Sequence, residues 1–311
     1  MAAILRMMIP FQITDTTLTS STVLEDDYAV WNSATIYDIG DRCIKGHRIY
    51  EGQVDATATK KNQNKDPEDP VNQFGPIIYW VDIGPTNRYA MFDGYVNTQT
   101  IATTSMTVVL KAGAFNSIYL DGLDAKEYDV VVKDAPGGNV IYTSSGNLRG
   151  NRPDTYWEYW FNPFANLKSK VLTGIPPYTN MELTLTLSSG VGAQVKCGVL
   201  AIGMFKNLGR TQQGAEAKPK NYGFVKTDQY GKNTYKIGKK ALDITGGAII
   251  DRDEARQVQS ILLEALGVPS VISCSDKDTF SGLNNFGFTA GKVVYKTPDT
   301  SEITFTQEGI I

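Results

Sequence analysis

Much of this chain either alternates apolar and polar residues with period two or groups β-branched side chains together. These are the patterns of half-buried and fully buried strands. Residues 105–110 (SMTVVL), 128–133 (YDVVVK), 139–143 (NVIYT), 183–187 (LTLTL) and 196–202 (KCGVLAI) each read as a strand. Turn signals separate them: Asp121-Gly122, Pro136-Gly137-Gly138, Ser145-Gly146 and Pro176-Pro177. Short strands at this spacing predict an antiparallel β-sandwich or jelly roll over residues 94–208.

One late stretch has a strong helical period. Asp251 is placed as its N-cap, with Glu254 at the third helical position completing a capping box. Ala255, Val258, Ile261, Leu262, Ala265 and Leu266 then share a face, Gly267 is placed to end the helix, and Pro269 blocks continuation. Strands at 271–273, 292–295 and 302–306 follow, so residues 223–311 predict a small α+β domain with one helix. Residues 209–222 (GRTQQGAEAKPKNY) are polar, with two glycines and a proline, and read as a linker or long loop. Residues 1–24 read as an extended arm that pairs with something. The start is only mildly apolar and is broken by Pro10, unlike a signal peptide. Overall the expectation is a mainly β chain: a small aromatic-cored β module at 25–93, the sandwich, then the α+β domain. No short repeat is visible, and the most polar stretch, 57–69, is a loop before Trp80.

Composition narrows the function. The chain has 311 residues, 41% hydrophobic and 20% charged, an ordinary globular balance that predicts roughly two or three domains. Its net charge of −3 lacks the basic excess of a nucleic-acid binder, so no nucleic-acid partner is expected. Lysines at 218, 220, 226, 232, 236, 239 and 240 read as a solvated loop and edge strand. No apolar run reaches the roughly 20 residues of a membrane span, and no membrane insertion is expected. Three scattered cysteines (Cys43, Cys197, Cys274) argue against a disulfide framework and for folding in a reducing cytosol. With one histidine, His47, the chain lacks the ligands of a usual zinc site; neither metal nor cofactor is expected.

Trp31, Tyr37, Gly40-Asp41, Tyr50 and Trp80 form a spaced pattern. Over about residues 28–85 it resembles the small carbohydrate-binding modules of families 5 and 12, the chitin-binding type 3 modules, with Cys43 where those carry Val. The resemblance implies a few short strands around buried aromatics. A module this small needs large rings to fill its core. Gly40-Asp41 suits a tight turn, and Asp41 is placed to accept backbone N–H bonds. The sugar-binding members carry further exposed aromatics after the second Tyr, where this chain has Glu51-Gly52-Gln53-Val54-Asp55-Ala56-Thr57. The four rings therefore read first as core plugs. The candidates for glycan contact are Tyr28, Phe74 and Tyr79, with Asn and Gln of the 62–73 loop as donors.

A wider resemblance covers most of the chain, strongest at 9–95. Ile13-Thr14-Asp15, Leu18-Thr19-Ser20-Ser21, the module and Gly84-Pro85-Thr86-Asn87-Arg88-Tyr89-Ala90-Met91-Phe92-Asp93 together resemble a family of tailed-bacteriophage virion proteins. Tyr89 stands where Trp is the commoner residue. The resemblance implies a structural protein of the tail or baseplate, made in the host cytoplasm, whose partners are other tail proteins and copies of itself. The alternative it leaves is a virion-borne protein that contacts host-surface polysaccharide through the 25–93 module. Arg88 and Asp93 are expected to brace a domain junction, with Tyr89, Met91 and Phe92 packed inside it.

The densest aromatic run is 156–164 (YWEYWFNPF). As a strand it would put Tyr156, Glu158 and Trp160 on one face and Trp157, Tyr159 and Phe161 on the other. One face would fill the sandwich. The other would meet another subunit, with glycan stacking as the second choice. Catalysis needs a positioned base, acid or nucleophile. His47 is alone, no Ser sits in a nucleophile elbow, and no spacing singles out a carboxylate pair, so an enzyme is not expected.

Overall fold

The structure is a computed structural model and describes residues 3–55, 61–148, 150, 155–161, 166–275 and 282–310. The chain begins with β1 (Ile4–Met8) and β2 (Leu18–Ser21). The small antiparallel sheet of the module follows: β3 (Arg42–Lys45), β4 (Arg48–Gly52) and, after the short helix α1 (Pro70–Phe74), β5 (Trp80–Pro85). The middle of the chain supplies β6 (Thr100–Thr103), β7 (Ser105–Gly113), β8 (Ser117–Asp121), β9 (Glu127–Lys133) and β10 (Val140–Asn147). Then come α2 (Tyr156–Phe161), β11 (Lys170–Leu172), β12 (Met181–Ser188), β13 (Gln194–Cys197) and β14 (Val199–Gly203). The last third holds β15 (Lys206–Thr211), β16 (Glu216–Asn221), β17 (Phe224–Thr227), β18 (Asn233–Lys236) and β19 (Lys240–Asp251). It ends with α3 (Ala255–Glu264), β20 (Pro269–Ser273), β21 (Asn284–Tyr295) and β22 (Thr300–Gly309).

The chain is mainly β, with several antiparallel sheets. A five-stranded sheet in the order β10-β9-β12-β7-β2 packs against a three-stranded sheet, β11-β8-β14. Their alternating sequences set the register. Leu185 lies opposite both Val108 and Val130, and Leu183 opposite both Leu110 and Val132, so one face of the large sheet is continuously apolar. Ile118, Leu120, Leu200 and Ile202 meet that face in one core. The run Val199–Gly203 is apolar throughout because β14 is buried on both sides. Its other face, with Tyr119 of β8, packs on Met8, Val271 and Phe286 of the C-terminal sheet. The stretch expected as one strand at 196–202 breaks at Gly198. A side chain there would lie 2.3 Å from the Val96 carbonyl oxygen, so only glycine lets the two backbones approach.

The C-terminal sheet runs β15-β1-β20-β21-β22-β19, and β19 pairs back onto β15, closing an all-antiparallel ring of six strands. Helix α3 places Ala255, Val258, Ile261 and Leu262 in the same core as Leu5, Met7, Leu208, Ile244 and Phe305. Its start differs from expectation. Arg252–Glu254 form a 3₁₀ turn, and Asp251 makes no side-chain cap bond. The turn is instead tied to the β21–β22 connection, where Arg252 donates to the Asp299 and Pro298 carbonyls. Leu266 falls beyond the helix and is exposed, and Gly267 adopts φ +75° as the chain leaves it.

Two sequence expectations change. The arm at 1–24 pairs with its own chain: β1 lies between β15 and β20 inside the ring, and β2 edges the five-stranded sheet. Residues 209–222 are largely strand rather than linker, in β15 and β16. Their polar composition follows from β16 being an edge strand, where Pro219 is tolerated because one side needs no ladder bond.

Candidate functional site

The module is built inward from its rings. Tyr37, Cys43, Tyr50 and Trp80 form its buried core, with Trp31 and Tyr79 half-buried against it. Trp80 is fully enclosed, and its indole N–H donates to the Lys65 carbonyl at 2.8 Å. Tyr37 meets Trp80 edge-on at 5.1 Å, and its hydroxyl accepts from the Asn32 N–H. Buried Asn62 bonds the Tyr37 backbone on both sides, acting as a missing strand partner. Gly40 takes φ +85°, and Asp41 accepts from the Asp38 N–H at 2.7 Å, closing the expected turn. Burial pushes the Cys43 thiol up to about 12, which keeps it protonated and inert.

The three glycan candidates are not brought together as one platform. Tyr79 packs on the core with the Lys65 ammonium 5.0 Å from its ring centroid. Tyr28 accepts a bond from Arg42, whose guanidinium also sits 5.6 Å from its ring. Phe74, at the end of α1, is 81% exposed. Trp31 carries the Lys45 ammonium 4.4 Å from its ring.

A connected cluster of polar groups lies where the N-terminal segment, the module and the 84–93 segment meet. β3 and β4 are joined by the two-residue turn Gly46-His47, both with positive φ (55° and 63°), as this tight hairpin requires. Positive φ is uncommon for histidine, and the ring is held from three sides. Nε2 lies 2.7 Å from Asp15, Nδ1 lies 2.8 Å from Glu25, and Tyr89 stacks on it at 4.0 Å. With a carboxylate at each ring nitrogen, only the doubly protonated imidazolium donates to both. Burial works to lower the His47 pKa, but the bonds to Asp15 and Glu25 outweigh it and hold it above 6.5. His47 in turn holds the Asp15 carboxyl below its ordinary value, helped by the Tyr89 hydroxyl.

The Thr86-Asn87 pair completes this junction. Thr86 donates to Glu25, and its N–H bonds the His47 carbonyl. The Asn87 amide bonds Ile101 in both directions, while its backbone N–H donates to Asp27. Met91 is fully buried in the sandwich core, and Tyr89 and Phe92 pack against that core. Asp93 accepts from the Tyr95 N–H, and burial raises its pKa to about 6. The bracing expected of Arg88 is not provided by its Nε, which is buried without a hydrogen-bond partner. A cleft of about 440 Å³ opens here, lined in part by Ile13, Asp15, His47, Arg48, Tyr89 and Asp93. Both His47 nitrogens are engaged, so the cluster acts as an electrostatic clamp rather than as a free general base. Asp15, Glu25, Thr86 and Asn87 were not singled out as a unit in the sequence, because 72 positions separate Asp15 from Asn87.

The aromatic run 156–161 is a helix, not a strand. Its rings therefore pair at i, i+4 instead of splitting between two faces: Tyr156 meets Trp160 at 6.2 Å and Trp157 stacks on Phe161 at 4.0 Å. All four rings are exposed, and none fills the sandwich core. The Tyr159 side chain lies outside the described residues. No group of His, Cys, Asp and Glu among the described residues could hold a metal ion.

Set against known proteins, the chain matches no family model and no curated protein. Among solved structures it is similar to carbohydrate-binding and F5/8 type C-like β domains, at low identity and over part of its length. A GH29 fucosidase of Ruminococcus gnavus, solved with fucose, is 11% identical with a TM-score of 0.29, over 38% of this chain and 22% of that one. The chain thus matches only about a fifth of the fucosidase. A chitosan-binding module from a Paenibacillus chitosanase/glucanase is 10% identical with a TM-score of 0.25, over 37% and 82%. An F5/8 type C domain from Bacteroides fragilis is 12% identical with a TM-score of 0.24, over 38% and 80%. Likenesses this faint decide nothing about what the chain does.

Proposed function

We propose that this chain is a structural and adaptor protein of a bacteriophage tail or baseplate, acting through protein–protein interfaces rather than by catalysis. One observation supports the reading: the module's rings are turned inward while those of α2 are turned outward. The module turns Tyr37, Tyr50 and Trp80 into its own core, while Tyr156, Trp157, Trp160 and Phe161 stand exposed on α2. An exposed apolar cluster of that size belongs against another protein. The resemblance of residues 9–95 to virion proteins supplies the setting, with other tail proteins and further copies as partners. The test is a phage genome carrying a stop codon in this gene. Particles with defective tails, rescued by the full chain in trans, are expected; normal particles without the chain would refute the proposal.

A second reading, glycan contact at the host surface, is favoured by the outward-facing ring of Phe74 and, separately, by half-exposed Tyr28. It predicts that polysaccharide binding is lost in Phe74→Ala and Tyr28→Ala while the fold is kept.

A further inference from the structure

The module and the sandwich have separate cores. The apolar cluster of the module draws on residues between Trp31 and Trp80, whereas that of the sandwich draws on Ile13, Leu18 and Val23 and then on residues from Tyr89 onward. Strands β3, β4 and β5 likewise pair only with one another. A boundary of this kind yields before either core does. The chain crosses it twice, side by side. Glu25 and Asp27 lie on the way in, and Thr86 and Asn87 on the way out, with Thr86 Oγ1 donating to Glu25 and the Asn87 N–H to Asp27. The Thr86 N–H bonds the His47 carbonyl on the module, while the Asn87 side chain bonds Ile101 on the sandwich. The joint between the two units therefore falls at Thr86-Asn87.

Away from that joint, His47 spans the boundary. It reaches from the β3–β4 turn to Asp15, between β1 and β2, and to the ring of Tyr89. The 440 Å³ cleft beside it is lined by Gly46, His47 and Arg48 of the module and, from the other side, by Thr14, Asp15 and Tyr89. A neutral imidazole has one N–H to give, and here two carboxylates ask for it. Glu25 is the more enclosed, its side chain 18% exposed against 66% for Asp15, so leaving Glu25 without a donor costs more. Asp15 is then the contact that parts. The neighbouring charges do not replace the lost proton. Arg48 is paired with Asp82, Lys45 with Asp66, and Asp27 accepts from Asn87. Arg88 adds some positive charge near Asp15. Asp93, also lining the cleft, becomes a further negative charge as pH rises through about 6.

We propose that His47 is a latch operated by a proton: doubly protonated it holds the module against the N-terminal segment, and singly protonated it releases Asp15 and lets the module turn about Thr86-Asn87, widening the cleft. The change is one of orientation, because the module core and the sandwich core take no part in it. Its direction follows from the ring being held above 6.5. The latch is fully closed below 6.5, and between 6.5 and the raised value each pH unit weakens it by about tenfold.

Spin labels on the full chain test this. Val71 and Val191 are exposed, one on each unit, and Cys43, Cys197 and Cys274 are buried, so V71C/V191C takes label at those two sites. Double electron–electron resonance at about pH 5.5 and about pH 9 brackets the titration of the ring. One narrow distance is expected at the acidic pH, and a broadened or shifted distribution, reversible on acidification, at the alkaline pH. In the same background H47N, chosen because asparagine accepts the positive φ of the turn, should give the broad distribution at both. D15N/E25Q removes the charges that the ring proton serves and should lose the pH response. Protection factors of the β3, β4 and β5 amides should stay unchanged throughout. A distribution that ignores pH in V71C/V191C, a pH response kept in D15N/E25Q, or module protection lost at the alkaline pH, which would mean unfolding rather than turning, would overturn the proposal. Should H47N fail to fold, V71C/V191C alone and with D15N/E25Q decide it.

Discussion

Replacing Trp80 with alanine separates a core plug from a sugar platform. The indole is fully buried among Tyr37, Cys43 and Tyr50. A ring of this kind removes about 150–250 Å² from water, worth about 4–6 kcal/mol at about 25 cal/mol per Å². Large-to-small changes at such sites cost about 3–5 kcal/mol in practice. Loss of the bond to the Lys65 carbonyl adds about 1 kcal/mol. A total near 5 kcal/mol rivals the whole stability of an ordinary domain, so W80A should melt the module locally. Hydrogen exchange of the β3, β4 and β5 amides in the full chain reads this directly, with near-UV circular dichroism as a second probe. Protection there should collapse while the β7 and β12 amides of the sandwich stay protected. Phe74→Ala, at an exposed site, should change stability by no more than about 0.5 kcal/mol. Unchanged protection in W80A would refute the plug reading. Lost polysaccharide binding with protection intact would make Trp80 a sugar contact.

Other outcomes follow from the same geometry. The Asp15–His47–Glu25 clamp has a defined pH window. His47, with its pKa raised, contributes fully below 6.5 and loses its contribution as pH climbs through the raised value. Asp15, with its pKa lowered, contributes above 3.8 and loses its contribution as pH falls through the lowered value. Protection factors of the Thr14 and Thr17 amides, taken relative to intrinsic exchange at each pH, should therefore be highest at mildly acidic pH, and His47→Ala should flatten that profile; an unchanged profile would show that the clamp is not ionic. Deleting residues 1–8 removes an interior strand whose Leu5 and Met7 are buried. It should unfold the C-terminal ring, seen as lost protection in β20 and β15; a ring that stays folded would contradict the closed topology. Tyr119→Phe strips the 2.8 Å bond from Asp121, a carboxyl that burial already raises to about 6. A loss of about 1–3 kcal/mol in urea unfolding at neutral pH is expected, shrinking as pH falls and Asp121 takes up a proton.

The strands legible in the sequence were those with one apolar face, as at 105–110 and 183–187, where alternation and burial coincide. The helix face from Ala255 to Leu262 was legible for the same reason. Long-range pairing was not legible. Nothing in ILRMM says that β1 closes a ring with strands more than 200 residues away, since period-two patterns name a face but not a partner. Edge strand β16 was hidden by its polarity. The aromatic run 156–161 misled because bulky rings favour strands as a class, whereas here i, i+4 ring contacts accompany one short helix. In the module, ring spacing predicted the plugs, but the clamp did not show. Its carboxylates come from positions 15 and 25, and only the folded hairpin turn brings His47 between them.

The proposed virion role is tested most directly by cryo-electron microscopy of particles made by a phage that carries this gene. Density for symmetric copies in the tail or baseplate is expected, with the α2 rings buried against protein. A complete particle map in which the chain is absent, or one in which those rings face solvent, would contradict it.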